Sequence, residues 1–217
     1  MTGRQVVPLT AATTDLLRPS CRGCVRWLRD PVEAHADAAR HSVPGLRAWA
    51  ETVTHEWGPP GLLVRQDGRT VAHVVMAPPS LVPRAALPAT APVSDDAVLL
   101  LSLSSSSRAF TKVAVQSLGR ELLRRTVRAV EAYGGPAVVT GCLSSAEVAQ
   151  SDLPWPPPDV CRVPTTLLTG VGFTVVRPHP TCPRLRLDLR STATVREDVT
   201  SAVRAWLADR ATAPAAT

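Results

Sequence analysis

The stretch AVLLLSLSSSS at residues 97–107 begins the segment that decides the fold. Its apolar run, 97–103, is typical of a central strand that is covered on both faces of a sheet. Residues 118–133, LGRELLRRTVRAVEAY, repeat apolar side chains every three or four positions with arginines between them, as an amphipathic helix does. The apolar positions are Leu118, Leu122, Leu123, Val127 and Val130. The segment therefore predicts a strand, a serine loop and a helix that ends before the glycines at 134–135.

Similar patterns on both sides of this segment predict further elements. Upstream, strands are predicted at 5–9, 62–66 and 70–77, and helices at 31–41 and 46–57; downstream, strands are predicted at 137–140, 173–177 and 184–190, and helices at 165–169 and 194–206. The pair Asp67-Gly68 is a hairpin signal between two of the strands. This order predicts an α/β three-layer sandwich, with a mixed central sheet of about seven strands and helices on both faces.

The length of 217 residues suits one domain with one substantial core. We expect a single domain at 1–210. Proline-rich segments at about 78–95 and 142–163 are expected to be long loops, because proline lacks the amide donor that helices and inner strands need. The tail at 211–217 is expected to fray.

The charge pattern restricts the partners. The net charge is +6, and Lys112 is the only lysine among many arginines. These arginines are scattered among acidic residues, so nucleic acid is an unlikely partner. The chain has no run of roughly 18 apolar residues for a membrane span and does not begin like a signal peptide. The expected location is therefore the cytoplasm, with no membrane partner.

Several segments resemble a known family. CRGCVRW at 21–27, MAPPSLVPRAA at 76–86, APVSDDAVLLLSL at 91–103, LGRELL at 118–123 and LLTGVGFTVVRPHPTCPRLRLDLR at 167–190 are similar to segments of actinobacterial GNAT N-acetyltransferases. The predicted order of strands and helices also resembles the GNAT fold. The resemblance implies acetyl-CoA as acyl donor and a primary amine, on a small molecule or a protein, as acceptor.

In the GNAT family a splayed central strand binds the pantetheine arm, and a loop Arg/Gln-x-x-Gly-x-Gly/Ala opens the next helix. Amides at a helix N-terminus favour an anion such as pyrophosphate. The resemblance places the strand at 99–104 and the loop at 114–119. It implies a cofactor-binding set of Leu103, Ser104, Gln116, Ser117, Leu118, Gly119 and Arg120.

The loop departs from the family pattern. Ala114 stands where arginine or glutamine is expected, and Ser117 replaces a glycine, so only Gly119 fits. Arg108 and Lys112 are further candidate contacts for phosphate. The alternative interpretation is that the loop has lost phosphate binding and the helix only packs against the sheet.

Catalytic residues are not assigned by the sequence. The strand at 97–104 has no carboxylate, the helix at 165–169 has no tyrosine, and Tyr133 is interpreted as a packing residue. The main hypothesis is an N-acetyltransferase that transfers acetyl to a primary amine. The alternative is a non-catalytic GNAT-like module that binds an acyl-CoA or a protein partner.

Cysteines and histidines are the candidate metal ligands and catalytic groups of the sequence. Cys21 and Cys24 form a C-x-x-C, but no second pair completes a four-ligand zinc site, so buried thiols and no metal are expected. His73 lies in the strand at 70–77 and faces either the acceptor side of the sheet or solvent. His179 is interpreted as a turn residue, and Trp155 packs over the acceptor cleft or anchors its own loop.

Overall fold

The computed structural model describes residues 3–17, 19–22, 27–28, 45–135 and 162–189. Its strands are β1 Arg4–Pro8, β2 Gly61–Gln66, β3 Arg69–Ala77, β4 Ala97–Ser105, β5 Ala129–Tyr133, β6 Thr174–Arg177 and β7 Arg184–Asp188. Its helices are α1 Pro19–Arg22, α2 Leu46–Glu56, α3 Arg108–Arg124 and α4 Thr165–Gly170, with 3-10 turns at Ala11–Leu16 and Pro79–Leu81. The predicted helices at 31–41 and 194–206, the predicted strand at 137–140, the segment 142–161 and the tail 211–217 lie outside the described residues.

The seven strands form one mixed sheet in the order β1-β2-β3-β4-β5-β7-β6. β4 and β5 are parallel, and every other neighbouring pair is antiparallel. One side of the sheet, the α3 face, packs against apolar side chains of α3 and α4, including Leu118, Leu122 and Leu168. The other side, the α2 face, packs against Leu46 and Val53 of α2. The prediction of an α/β three-layer sandwich is therefore confirmed.

The hairpin between β2 and β3 is the one predicted. Asp67 and Gly68 have φ angles of 52° and 76°, which are left-handed values. A two-residue turn with both φ values positive matches the twist of paired strands, and glycine adopts this conformation without steric cost. The dipeptide thus fixes the register of β2 against β3.

The helix predicted at 118–133 exists, but both of its predicted ends are wrong. α3 begins at Arg108, where Ser107 caps it, and it ends at Arg124. Thr126 then takes a left-handed φ of 62°, and the last five residues of the predicted helix form the strand β5. The fifth strand of the described sheet is therefore Ala129–Tyr133.

Two physical effects explain the error. Val127 and Val130 continue the helical spacing of α3, but every residue of β5 is buried, so the strand shows no alternation that would distinguish it from a buried helix. At the other end, the serine run was interpreted as a loop, although serine is a preferred N-cap. Without a glycine or proline at 125–128, nothing in the sequence marks the end of α3.

A β-bulge interrupts β4 at Leu101. Met76 pairs with Leu100 and the preceding Val75 pairs with Ser102, so Leu101 is the extra residue. In such a bulge two consecutive residues oppose one residue of the partner strand. Leu101 belongs to the core of the α2 face, and Ser102 lies opposite Val75 of that same core. The bulge therefore turns two neighbouring side chains toward the α2 face.

Candidate active site

The parallel strands β4 and β5 separate before β4 ends. Their pairing runs from Ala97 with Ala129 to Leu100 with Ala132, whereas β4 continues to Ser105. Within the described residues, the backbone of 101–105 therefore has no β5 partner on that side. We call this opening the β4–β5 gap. Unpaired strand backbone of this kind is available for hydrogen bonds to an extended ligand.

The N-terminus of α3 lies directly after the gap. Ser107 accepts a hydrogen bond from the amide of Phe110 at 3.3 Å, and the Ser105 hydroxyl contacts the Thr111 hydroxyl. Ser105 also donates to the Ser107 carbonyl at 3.0 Å, which fixes the turn. The serine run therefore ends β4 and caps α3. The first amides of a helix have no acceptor within the helix and lie at its positive end, so they favour an anion.

The structure corrects the predicted phosphate site. Leu103 and Ser104 lie on β4 beside the gap, as expected. Ser117 and Gly119 instead lie inside α3, roughly 14–16 Å beyond its first residue at 1.5 Å per residue. Their amides belong to the middle of the helix and are not at its N-terminus. The prediction that residues 114–119 form a loop that opens the helix is therefore wrong.

Four polar residues of α3 lie along one exposed row. Arg108, Lys112, Gln116 and Arg120 recur every four residues, and all four are exposed. Residues four apart lie on the same side of a helix. Leu118 and Gly119 are buried on the opposite side. The row begins at the N-terminus of α3 with two cationic side chains.

Trp27 and Tyr133 pack against each other on the α2 face, beside the gap. The indole Nε1 of Trp27 donates to the carbonyl of the bulge residue Leu101 at 3.0 Å. The Trp27 ring stacks on Tyr133, the last residue of β5, with centroids 5.9 Å apart. The Tyr133 hydroxyl donates to the Ala85 carbonyl at 2.9 Å, and burial raises the pKa of this phenol to about 12. The predicted packing role of Tyr133 agrees with these contacts, although Tyr133 belongs to a strand.

Glu131 is a buried carboxylate with four donors. Its side chain is 0% exposed; it accepts from the Ser94 hydroxyl at 2.6 Å and the Ser94 amide at 3.2 Å. Arg184 and Arg186 each approach it to 3.3 Å. Arg186 also binds Asp96 at 2.8 Å, and this hydrogen bond lowers the pKa of Asp96. The network joins the loop before β4 to β5 and β7, which is a structural role.

His73 and Ser102 meet on the α2 face beside the gap. The ring nitrogen Nε2 of His73 lies 3.2 Å from the Ser102 hydroxyl oxygen, and the His73 side chain is 0% exposed. His73 therefore faces the interior and not solvent. The signal in the sequence was a serine inside an apolar central strand, opposite a histidine-bearing strand.

The other candidate residues have simpler environments. His179 accepts from the amides of Thr181 and Cys182, at 3.3 and 3.1 Å, which agrees with its interpretation as a turn residue. Cys21 is buried, whereas Cys24 and Trp155 lie outside the described residues. Within the part of the chain that the structure describes, no three His, Cys, Asp or Glu residues are grouped to hold a metal. None of its described helices has the length and apolar character needed to cross a bilayer.

The loop predicted at about 78–95 lines a second concavity. It borders a groove of about 890 Å³ together with Trp57, Arg125 and Arg128. The Arg125 guanidinium lies over the Trp57 ring, 4.6 Å from its centroid, and donates to the Pro59 carbonyl. This groove lies at the N-terminal ends of β4 and β5, whereas the gap begins beyond Leu100, toward the C-terminal end of β4.

Known proteins resemble this chain in structure but not in sequence. No protein-family model matches the sequence, and no curated protein matches it. Solved structures do match.

The PaiA N-acetyltransferase from Thermoplasma acidophilum, in complex with coenzyme A, is 9% identical over 86% of this chain and 99% of that one, with a TM-score of 0.50. The aminoglycoside acetyltransferase AAC(6')-Ib, in complex with coenzyme A, is 9% identical over 89% and 99%, with a TM-score of 0.51. At these identities the similarity shows the fold alone. The chain has the α/β fold of the GNAT N-acetyltransferases.

Proposed function

We propose that this protein is an acetyl-CoA-dependent N-acetyltransferase that transfers acetyl to a primary amine. The observation that carries the proposal is the continuity of the β4–β5 gap with the capped N-terminus of α3. Two proteins with the same fold were solved in complex with coenzyme A. The sequence segments that resemble actinobacterial members favour that branch of the family.

The residues of this chain fit a CoA thioester from one end to the other. The backbone of 102–105, beyond the pairing of β4 with β5 and including Leu103 and Ser104, would hydrogen-bond the pantetheine arm. The free amides at the start of α3 would receive the pyrophosphate, with Arg108 and Lys112 as nearby positive charges. Gln116 and Arg120 would extend these contacts along the exposed row of α3. Holding thioester and amine together supplies much of the rate acceleration of such a transfer.

One observation favours the non-catalytic alternative. The Leu101 carbonyl already accepts a hydrogen bond from Trp27. The Trp27 ring, together with Tyr133, covers one side of the gap. An acyl-CoA that lies only on the other side would be bound without meeting an amine. This second candidate function is an acyl-CoA-binding module without transfer.

Calorimetric titration of the whole chain with acetyl-CoA tests the site. Arg108→Glu and Lys112→Glu should each weaken binding about tenfold, because they reverse a charge beside the pyrophosphate; this equals about 1.4 kcal/mol. Arg124→Glu is the matched control at the other end of α3, where the side chain is 78% exposed. Equal affinities of all three variants, or no binding to the parent chain, would refute the site.

Transfer is tested separately from binding. Kanamycin, spermidine and a peptide with an N-terminal alanine serve as amine probes, and released CoA is measured by chromatography. Thiol-reactive dyes are unsuitable because the chain itself carries five cysteines. Amine-dependent CoA release supports the transferase. Tight acetyl-CoA binding without release from any amine favours the non-catalytic module.

A further inference from the structure

We propose that His73 and Ser102 form a proton relay that removes the proton of the acceptor amine. The inference rests on the proposed transferase function and assigns its general base. It is carried by the juxtaposition of a buried imidazole on β3 with a hydroxyl on β4, at the edge of the β4–β5 gap.

The hydrogen bonding of His73 is one-sided. Its Nε2 lies 3.2 Å from the Ser102 oxygen, while its Nδ1 is buried and has no hydrogen-bond partner among the described residues. A buried polar nitrogen without a partner costs free energy, and a catalytic role is one explanation for its retention.

Ser102 connects this imidazole to the gap. The bulge at Leu101 turns Ser102 toward the α2 face, and Ser102 lies beyond Leu100, where pairing with β5 ends. Its side chain is half-buried, whereas His73 is fully buried. The hydroxyl is therefore the more accessible member of the pair, and it lies next to the gap.

Two other titratable groups on this face are already engaged. Glu131 is surrounded by Ser94, Arg184 and Arg186, and it lies opposite Leu99 in the paired part of β5. Tyr133 donates its hydroxyl to the Ala85 carbonyl. The Nε2 of His73, which among the described residues contacts only the Ser102 hydroxyl, is therefore the better placed base on this face.

In this relay, one proton passes from the amine to the CoA thiolate by way of Ser102 and His73. The amine nitrogen attacks the thioester carbon, so an N–C bond forms and the C–S bond breaks, with its electron pair leaving on the CoA sulfur. The proton of the amine passes to the Ser102 hydroxyl as the hydroxyl proton passes to Nε2 of His73. The imidazolium then returns its proton through the same hydroxyl to the thiolate, which regenerates neutral His73.

Kinetics of three variants test the relay with the amine that the parent chain acetylates. His73→Gln and Ser102→Ala should each lower kcat about 100-fold, which is a typical contribution of general base catalysis. Acetyl-CoA affinity should not change. Because the two groups act as a unit, the double variant should be no slower than either single variant.

Matched controls separate the relay from general damage to the protein. His55→Gln changes an exposed histidine of α2, and Ser80→Ala changes an exposed serine of the 78–95 loop. Both should keep the parent kcat. Multiplicative losses in the double variant, or acetyl on Ser102 after mixing with acetyl-CoA alone, would overturn the relay.

A second measurement needs no acceptor. Nitrogen-15 spectra of the imidazoles, assigned with His73→Gln, should show the tautomer of His73 with its proton on Nδ1, so that Nε2 accepts from Ser102. A tautomer with its proton on Nε2 would overturn the inference. Absence of acetyl-CoA binding to the parent chain would instead count against the proposed function, so the two failures are distinguishable.

Discussion

Tyr133 gives a direct optical test of how the α2 face is packed. It is the only tyrosine of the chain, so the absorbance of tyrosinate near 295 nm reports this residue alone. Stacking on Trp27 and the hydrogen bond to Ala85 leave the phenol almost without solvent contact. Burial disfavours the charged phenolate and raises the pKa of Tyr133 to about 12, against an ordinary value of 10.0.

This pKa difference predicts the dependence of stability on pH. Below about pH 10 the phenol is neutral in both states, so it contributes no pH dependence. Between pH 10 and 12 the unfolded chain releases the proton while the folded chain keeps it, so the free energy of unfolding falls. A difference of two pKa units corresponds to roughly 3 kcal/mol lost across this window.

The assay is a spectrophotometric titration with the chain folded and, as an internal control, in concentrated guanidinium. The folded midpoint should lie near 12 and the unfolded one near 10. In urea unfolding, the parent should lose stability from pH 10 upward, whereas Tyr133→Phe should lose much less. A folded midpoint near 10 would refute the buried placement of Tyr133.

Three further substitutions test the elements around the gap by thermal or urea unfolding. Ser107→Ala removes the cap of α3 and should cost about 1 kcal/mol, whereas Ser106→Ala should not; equal losses would contradict the cap. Gly134→Val places a Cβ 2.5 Å from the Thr165 hydroxyl and should cost about 1–3 kcal/mol; an unchanged midpoint would contradict this close approach. Glu131→Gln removes the charge between two arginines and should cost about 3 kcal/mol; a neutral result would mean the network is not stabilising.

The two ends of α3 differ in how far the sequence specifies them. The sequence contained the cap at Ser107, the exposed polar row of α3 and its buried apolar side. It gave no local signal for the helix end, because Thr126 adopts a left-handed φ without glycine, and because β5 is buried on both faces. Because the helix start was predicted too late in the sequence, the expected phosphate loop falls about two to three turns inside α3.

The sequence by itself determined the elements whose signals are local. The Asp67-Gly68 turn, the apolar runs of β3 and β4 and the proline-rich loop follow from steric and hydrogen-bonding rules that act within a few residues. Those signals were enough for the α/β sandwich, whereas Leu103 and Ser104 were candidates only through the resemblance to the GNAT family.

Only the tertiary structure decided where β4 and β5 part, that the bulge at Leu101 turns Ser102 toward His73, and that Trp27 reaches the Leu101 carbonyl. These contacts join residues far apart in the chain, and sheet register is set by packing of whole strands, which no short stretch of sequence specifies.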